Sequence, residues 1–242
     1  MYYNEFKKGE VFMSIFAIGD THLSFSCDKP MDIFRGWDDY VERLEKNWRA
    51  VVTCDDTVVI AGDISWAMKL YEAEKDFAFL EGLPGRKIIM KGNHDYWWQT
   101  KKKLDEFIKE NGFNTIDIMF NNAFRVGDYA ICGSRGWFYD AEKDADMKVL
   151  RREAGRLQMS IDEAKKLGGE LIVFLHYPPL MQAQACEEMM EVLKRNEVKH
   201  CYYGHLHGPS CNLSVNDTVD GIKFRLISAD FLSFCPKLIE NF

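Results

Sequence analysis

The feature that most constrains this chain is a set of short apolar runs, each followed closely by residues that can bind a metal ion. The clearest is Ile88-Ile89-Met90, which is followed by Lys91-Gly92-Asn93-His94-Asp95. Such a run predicts a buried strand, and the glycine lets the backbone turn sharply at its end. The pattern recurs at four further places: Asp20-Thr21-His22, Gly62-Asp63, His176, and Gly204-His205-Leu206-His207. These strand ends indicate a common site.

Strand and helix patterns alternate over the first half of the chain. Apolar runs at 14–18, 57–61 and 87–90 predict buried strands. Apolar residues at helical spacing follow each run: Val41, Leu44, Trp48 and Val51, then Leu70, Ala73, Phe77 and Leu80, then Leu104, Phe107 and Ile108. The alternation predicts parallel strands with helices on both faces.

The pattern changes in the second half. Short strand-like pieces at 116–120, 123–126 and 129–132 predict a meander. A helix from about Ala141, a strand at 171–175, a helix around Met189 and a strand at 201–203 follow, and 224–227 and 231–234 are predicted to end the chain as antiparallel strands. The simplest packing of these elements is an α/β fold of four layers, in which two sheets, one mixed and one more antiparallel, are covered by helices.

The composition favours a cytoplasmic protein. The 242 residues fit one domain, predicted over 13–242, with 1–12 as a loosely ordered N-terminal extension before Met13. A formal charge of −7 without a basic stripe argues against nucleic acid or an anionic membrane as a partner. The seven cysteines form no Cys-x-x-Cys pair, as expected of free thiols in a reducing compartment. No apolar stretch approaches the ~20 residues that span a bilayer. The oligomeric state stays open.

The strand-end residues suit a metal centre, because ligands gather beyond the carboxyl ends of strands in open α/β sheets. Two pairs, Asp20 with His22 and His205 with His207, have the two-residue spacing that places side chains on the same side of an extended chain. The candidate ligands are Asp20, His22, Asp63, Asn93, His176, His205 and His207. One ion rarely takes seven protein ligands, but two ions fit if one carboxylate bridges them. Asp63, alone on its strand end, is the predicted bridge.

Charge then indicates the substrate. Two divalent ions, two aspartates and a bridging hydroxide leave about one net positive charge, which suits a phosphate ester. His94 is not needed as a ligand and is predicted to protonate the leaving oxygen as a general acid. Asp95 follows it and is predicted to hold its ring and favour the protonated form.

Each motif alone is often structural, and we assign a structural role to His200. However, five of the six histidines and two aspartates stand at predicted strand ends, which favours the metal site. Aromatic residues crowd the same loops and either stack on a substrate or wall the pocket, with the wall favoured: Trp66, Tyr96-Trp97-Trp98 and Trp137-Phe138-Tyr139. Arg135 is either a phosphate-binding residue or an ion-pair partner.

From Asp20 to Gly208 the ordered series Asp-x-His, Gly-Asp, Gly-Asn-His-Asp, a lone His and Gly-His-x-His resembles the calcineurin-like metallophosphoesterases. The resemblance implies a four-layer αββα sandwich, with two mixed β-sheets packed face to face and flanked by helices. It also implies a dinuclear centre of manganese, iron or zinc. It implies that one ion is held by Asp20, His22 and His207, the other by Asn93, His176 and His205, with Asp63 bridging and His94 as the acid.

The chain differs from the Ser/Thr protein phosphatase branch of that family. Ile64-Ser65-Trp66-Ala67 stands where that branch has an acid and an arginine, and Asp95 stands in place of a glutamate. The chain is more similar to the small bacterial phosphoesterases. We therefore expect a hydrolase of small phosphodiesters or phosphomonoesters. The alternatives are a catalytically idle, metal-stabilised interaction module and a nuclease on the same scaffold.

Overall fold

The computed structural model describes residues 13–137 and 144–239. The predicted extension at 1–12, as well as Phe138 and Tyr139, lies outside the described residues, and the single domain over 13–242 stays a prediction. The strands are β1 (Ile15–Ile18), β2 (Thr57–Ile60), β3 (Arg86–Ile89), β4 (Ile116–Ile118), β5 (Phe124–Val126), β6 (Tyr129–Ser134), β7 (Glu170–Leu175), β8 (Leu180–Met181), β9 (Gln184–Ala185), β10 (His200–Tyr203), β11 (Thr218–Val219), β12 (Ile222–Leu226) and β13 (Lys237–Leu238).

The helices lie between these strands and carry the apolar stripes that the sequence predicts. They are α1 (Tyr40–Val51), α2 (Glu74–Glu81), α3 (Lys101–Glu110), α4 (Asp144–Leu167) and α5 (Glu187–Arg195), with 3₁₀ turns at Leu70–Ala73 and Gly208–Leu213. In α1, for example, Tyr40, Leu44 and Trp48 are buried at a spacing of four residues, while Val51 is exposed. No helix in the described ranges is both long and apolar enough to cross a membrane.

Two mixed sheets carry the fold. The first has the order β13-β1-β2-β3-β4, in which β1 to β4 run parallel and β13 is antiparallel at the edge. The second has the order β11-β12-β10-β7-β6-β5, in which the four central strands run parallel and both edge strands are antiparallel. Parallel central strands bring the carboxyl ends of neighbours to one edge of each sheet, which is where the candidate ligands lie.

Alternate residues of each central strand enter different cores, which explains why these strands are apolar without interruption. In the first sheet, Val59 faces the second sheet and Val58 faces the helices α1 to α3. In the second sheet, Ile172 faces the first sheet and Val173 faces α4 and α5. The result is the predicted αββα sandwich. The prediction of helices on both faces of the parallel strands is wrong, because each sheet carries helices on one face and its other face is covered by the other sheet.

The predicted meander is wrong. Strand β4 pairs with β3 in the first sheet, whereas β5 and β6 pair in the second. Between them Asn122 accepts a hydrogen bond from the Phe120 N–H at 2.6 Å and donates to the Ile118 carbonyl at 3.1 Å. These bonds stabilise a crossing between the sheets in place of a hairpin turn.

The predicted end of the chain is also corrected. Strand β12 is parallel to β10, and its antiparallel partner is β11. Residues 231–234 form a turn, in which Ser233 and Phe234 have φ angles of 54° and 60° that no strand accommodates. The turn buries Phe234 in the core beneath α1, and the antiparallel strand comes later, as β13.

Candidate metal centre

The structure brings all seven candidate ligands to the adjoining carboxyl ends of the two sheets. Asp20 and His22 follow β1, Asp63 follows β2 and Asn93 follows β3. His176 follows β7, and His205 and His207 follow β10. A backbone hydrogen bond joins the two sheets here. The N–H of Gly19, after β1, donates to the carbonyl of Ile227, after β12, at 2.7 Å. The candidate ligands therefore lie where the two sheets are joined.

One group consists of Asp20, His22 and His207, whose ligand atoms lie within 4.8 Å of one another. The Nε2 atoms of His22 and His207 face each other at 3.4 Å, and His207 Nε2 lies 3.4 Å from Asp20 Oδ1. Asp20 and His22 are buried, and His207 is half-buried. Two ring nitrogens and a carboxylate that converge in this way suit a transition-metal ion.

The second group consists of Asp63, His176 and His205, within the same 4.8 Å limit. The side-chain oxygen of Asn93 belongs with them, because it lies 2.7 Å from His176 Nε2 and 2.9 Å from His205 Nδ1. Hydrogen bonding to the Ala61 carbonyl at 3.0 Å orients His176 through its Nδ1. This leaves His176 Nε2 facing the centre.

The charges of the cluster fit bound cations. Burial and the negative charge of the neighbouring Asp20 raise the pKa of Asp63 to about 8, so a cation between the two carboxyl groups would favour the ionised form of Asp63. Burial and the nearby His176 lower the pKa of His205 to about 3, so its ring is neutral at physiological pH, as a metal ligand must be. Burial opposes a charge on His207, but Asp20 and Asp230 raise its pKa to about 10, so its ring is protonated in the metal-free site and would release that proton on binding an ion. The residues present therefore fit the divalent ions that the sequence implies.

Backbone strain is concentrated in the same residues. Four of the seven candidate ligands adopt left-handed φ angles, which cost roughly 1–3 kcal/mol each for residues other than glycine. The residues are Asp20 (59°), His22 (45°), Asp63 (49°) and His205 (76°). Strain of this kind persists where the surrounding structure fixes it, and it clusters at functional sites.

His94 lies at the edge of the cluster, half-buried, with its ring 5.8 Å from that of His22. Its Nδ1 lies 3.2 Å from the Tyr96 hydroxyl. Burial and the nearby His176 lower the pKa of His94. The remaining ring nitrogen is free of a hydrogen bond among the described residues.

Asp95 has a different position from the one that the sequence predicts. Its carboxylate is fully buried and accepts hydrogen bonds from the N–H groups of residues 63–65 and of Gly92, in place of holding the ring of His94. The reason is geometric, because the turn after Asn93 directs Asp95 into the core towards the loop that follows β2. Asp95 therefore positions Asp63, because it accepts a hydrogen bond from the Asp63 N–H at 2.9 Å.

Arg135 forms an ion pair, which is the second of the two roles that the sequence allows. Its Nη2 lies 3.2 Å from Oε1 of the buried Glu153, and its guanidinium lies over the Trp137 ring at 4.8 Å. A role in binding phosphate stays a prediction. Among the other aromatic residues, Trp97 is fully buried in the core, whereas Trp66 stacks on His22 at 4.9 Å and walls the cluster.

Two residues that support the candidate ligands are not identified from the sequence. Asp230 accepts a hydrogen bond from His207 Nδ1 at 2.9 Å, which orients the ring. The hydroxyl of Tyr40 donates to the His22 carbonyl at 2.9 Å. Asp230 follows strand β12 by four residues and so carries the same strand-end signal as the ligands. Tyr40 lies at the start of a helix and gives no such signal.

The fold and the site together define an α/β sandwich protein with two groups of candidate metal ligands. The chain belongs to the calcineurin-like phosphoesterase family, whose sequence profile matches residues 13–209. Membership supports hydrolysis of phosphate esters with divalent metal ions, and the two groups of ligands provide the residues for it. No curated protein sequence matches the chain significantly.

Solved structures share the fold. A protein of unknown function from Aquifex aeolicus is 17% identical with a TM-score of 0.53, covering 94% of this chain and 96% of that chain. Phosphopantetheinyl hydrolase from Mycobacterium tuberculosis is 15% identical with a TM-score of 0.54, covering 93% and 95%. A protein from Thermus thermophilus is 14% identical with a TM-score of 0.54, covering 81% and 82%. At these identities the likeness concerns the fold alone.

Proposed function

We propose that this chain hydrolyses small phosphate esters, either phosphodiesters or phosphomonoesters, at a dinuclear metal centre. The observation that carries the proposal is the position of Asp63. Its Oδ2 lies 3.8 Å from His22 Nε2 and 3.4 Å from His176 Nε2, so one carboxylate oxygen faces ligands of both groups. This position supports Asp63 as the bridging ligand.

The other six ligands divide on either side of Asp63. Asp20, His22 and His207 would hold one ion, and Asn93, His176 and His205 the other. When bound, the ions supply positive charge for the phosphoryl oxygens and lower the pKa of a water molecule at the centre. The mixture of imidazole, carboxylate and amide ligands suits manganese, iron or zinc.

His94 is the proposed proton donor to the leaving oxygen. Because its Nδ1 faces Tyr96, we assign the catalytic proton to Nε2. Its pKa is lowered, so the imidazolium gives up its proton more readily than an ordinary histidine does, while a smaller fraction of His94 is protonated at neutral pH. Asp95 acts indirectly, since its hydrogen bonds fix the loop that carries Asp63.

The test is kcat/KM of the manganese-loaded protein towards 4-nitrophenyl phosphate and bis(4-nitrophenyl) phosphate. We expect turnover of at least one ester, and a loss of more than about tenfold in Asp63→Asn, which weakens the bridge. His200→Gln is the matched control, because His200 lies at the opposite end of β10 from the ligands. Unchanged turnover in Asp63→Asn, or none in the wild type, would refute the proposal.

The role of His94 is tested by the leaving group. His94→Ala is expected to lose about 10²–10⁴-fold with an alkyl phosphate, whose alkoxide needs a proton. The loss should be much smaller with a 4-nitrophenyl ester, because nitrophenolate leaves without one. Equal losses with both esters would remove His94 from the acid role. Bound metal without turnover of any ester would favour the idle module, and salt-sensitive cleavage of single-stranded nucleic acid would favour the nuclease.

A further inference from the structure

A cavity of about 400 Å³ opens directly beside the metal centre. Its volume lies within the range of roughly 300–1,000 Å³ that is typical of small-molecule sites. It is lined in part by His22, His94 and His207. Four apolar side chains that we name the apolar wall also line it: Met31, Phe34, Trp37 and Trp66. The cavity therefore continues the metal centre outwards, past the proposed proton donor.

The apolar wall is held in place by the cluster itself. The Trp66 ring stacks on His22, and its indole N–H donates to the Met31 sulfur at 3.3 Å. The Trp37 ring lies 5.8 Å from that of His22 and is only 3% exposed. The N–H of Trp66 is therefore used within the wall, which presents mainly carbon and a thioether to the cavity.

The chemistry of the wall indicates its occupant. Apart from the imidazoles of the metal centre, the charged group at the cavity is Arg35. A nucleobase or a sugar would bring several donors and acceptors into a wall that offers few partners, and unpaired buried polar groups are costly. An apolar chain loses nothing in this environment and gains from burial.

We propose that the apolar wall binds the leaving alcohol of the substrate and that this alcohol is an apolar chain. The inference rests on the proposed function, because His94 lines the cavity and is the proton donor in that proposal. In the step, the oxygen of water bonds to phosphorus and the bond between phosphorus and the alcohol oxygen breaks. His94 gives its proton to the departing oxygen, and the proton that the water loses returns to His94 through solvent.

The first test compares three phosphate monoesters by release of phosphate: ethyl phosphate, octyl phosphate and adenosine 5′-phosphate. Each buried methylene is expected to add about fourfold to kcat/KM. Octyl phosphate should therefore exceed ethyl phosphate at least tenfold, even if only two of its six additional methylenes are buried. Adenosine 5′-phosphate should not exceed ethyl phosphate. Equal values for the two alkyl esters, or a preference for the nucleotide, would overturn the inference.

A pair of neighbouring variants locates the binding surface. Phe34 is 53% exposed at the rim of the cavity, so Phe34→Asp should fold, and it is expected to lower the octyl-to-ethyl ratio more than threefold. The control is Ile33→Asp, because Ile33 is 72% exposed and is not among the lining residues. Ile33→Asp should leave the ratio unchanged. A ratio that does not respond to Phe34→Asp would overturn the inference.

Binding without turnover separates this inference from the proposed function. Octylphosphonate and ethylphosphonate are not hydrolysed, and tryptophan fluorescence reports their binding to the manganese-loaded protein. We expect octylphosphonate to bind at least tenfold more tightly. If esters are cleaved but the phosphonates bind equally, the apolar wall does not select the alcohol, and the proposed function stands. If no ester is cleaved but octylphosphonate binds more tightly, the hydrolytic function fails and the apolar site stands.

Discussion

The variant Asp95→Asn exchanges one side-chain oxygen for an amide nitrogen. We expect this exchange to disturb both the fold and the candidate metal centre. The carboxylate of Asp95 is fully buried. Both of its oxygens accept hydrogen bonds from N–H groups on segments that carry ligands. Oδ2 accepts from Asp63 at 2.9 Å and Gly92 at 2.7 Å, and Oδ1 accepts from Ile64 at 2.8 Å, Ser65 at 3.3 Å and the indole of Trp97 at 3.1 Å.

Asp95→Asn replaces one acceptor oxygen with a donor. At least two backbone N–H groups then lose their partner, and each unsatisfied buried donor costs about 1–3 kcal/mol. The loss is partly offset, because burial and the neighbouring Asp63 raise the pKa of Asp95 to about 7, so its ionised form is itself costly in the folded protein. We expect a net loss of about 2–4 kcal/mol in the free energy of unfolding. At ~2–4 °C per kcal/mol for a chain of this size, Tm should fall by about 4–16 °C.

Circular dichroism during heating of the metal-free protein measures this shift. The matched control is Asp105→Asn, because Asp105 is exposed and forms an ion pair with Lys101 on the surface of α3. That variant should change the stability by less than about 1 kcal/mol. A Tm for Asp95→Asn within about 2 °C of the wild type would contradict the hydrogen-bond argument.

Three further predictions concern other positions. In Gly204→Ala, the new Cβ would overlap Asp20 Oδ2, so the metal content should fall, as measured by elemental analysis. Asp230→Ala removes the partner of His207 Nδ1 and should weaken metal binding about 10–100-fold in a chelator titration, and no change would exclude a supporting role. Burial lowers the pKa of Lys87 from 10.5 to about 8. Between about pH 8 and pH 10.5 the Lys87 side chain holds a proton in the unfolded chain but not in the folded protein. The free energy of unfolding should therefore rise with pH in the wild type relative to Lys87→Met. Urea unfolding at pH 7.5 and pH 10 measures this difference.

The strands are the most predictable part of the fold, because a strand that is buried on both faces is a continuous apolar run in the sequence. The continuous apolar run around Ile172 and Val173 indicates a central strand. It does not indicate that Ile172 meets the other sheet while Val173 meets the helices, since both faces demand the same kind of residue. Which layer covers each face is decided by tertiary packing.

The wrong predictions of secondary structure concern short segments. The pieces β4 and β5 look alike in sequence, yet they belong to different sheets, and hydrogen bonds of Asn122 determine the crossing between them. Local patterns cannot distinguish that crossing from a hairpin turn. The residues at 231–234 are apolar enough for a strand, but the burial of Phe234 in a turn satisfies the same preference.

The convergence of the candidate ligands is predictable where a strand end positions the side chain. All seven candidate ligands converge, because parallel strands deliver their carboxyl ends to one edge. The direction of side chains within a turn was not predictable. Asp95 adjoins His94 in the sequence, but the turn sends one side chain into the core and the other towards the cavity.

The most direct test of the dinuclear centre is a crystal structure of the manganese-loaded protein with anomalous scattering from manganese. We expect two peaks about 3.5–4 Å apart on either side of Asp63. One should lie beside His22 and His207, and the other beside His176 and His205. A single peak, or two peaks that do not share Asp63, would contradict the account.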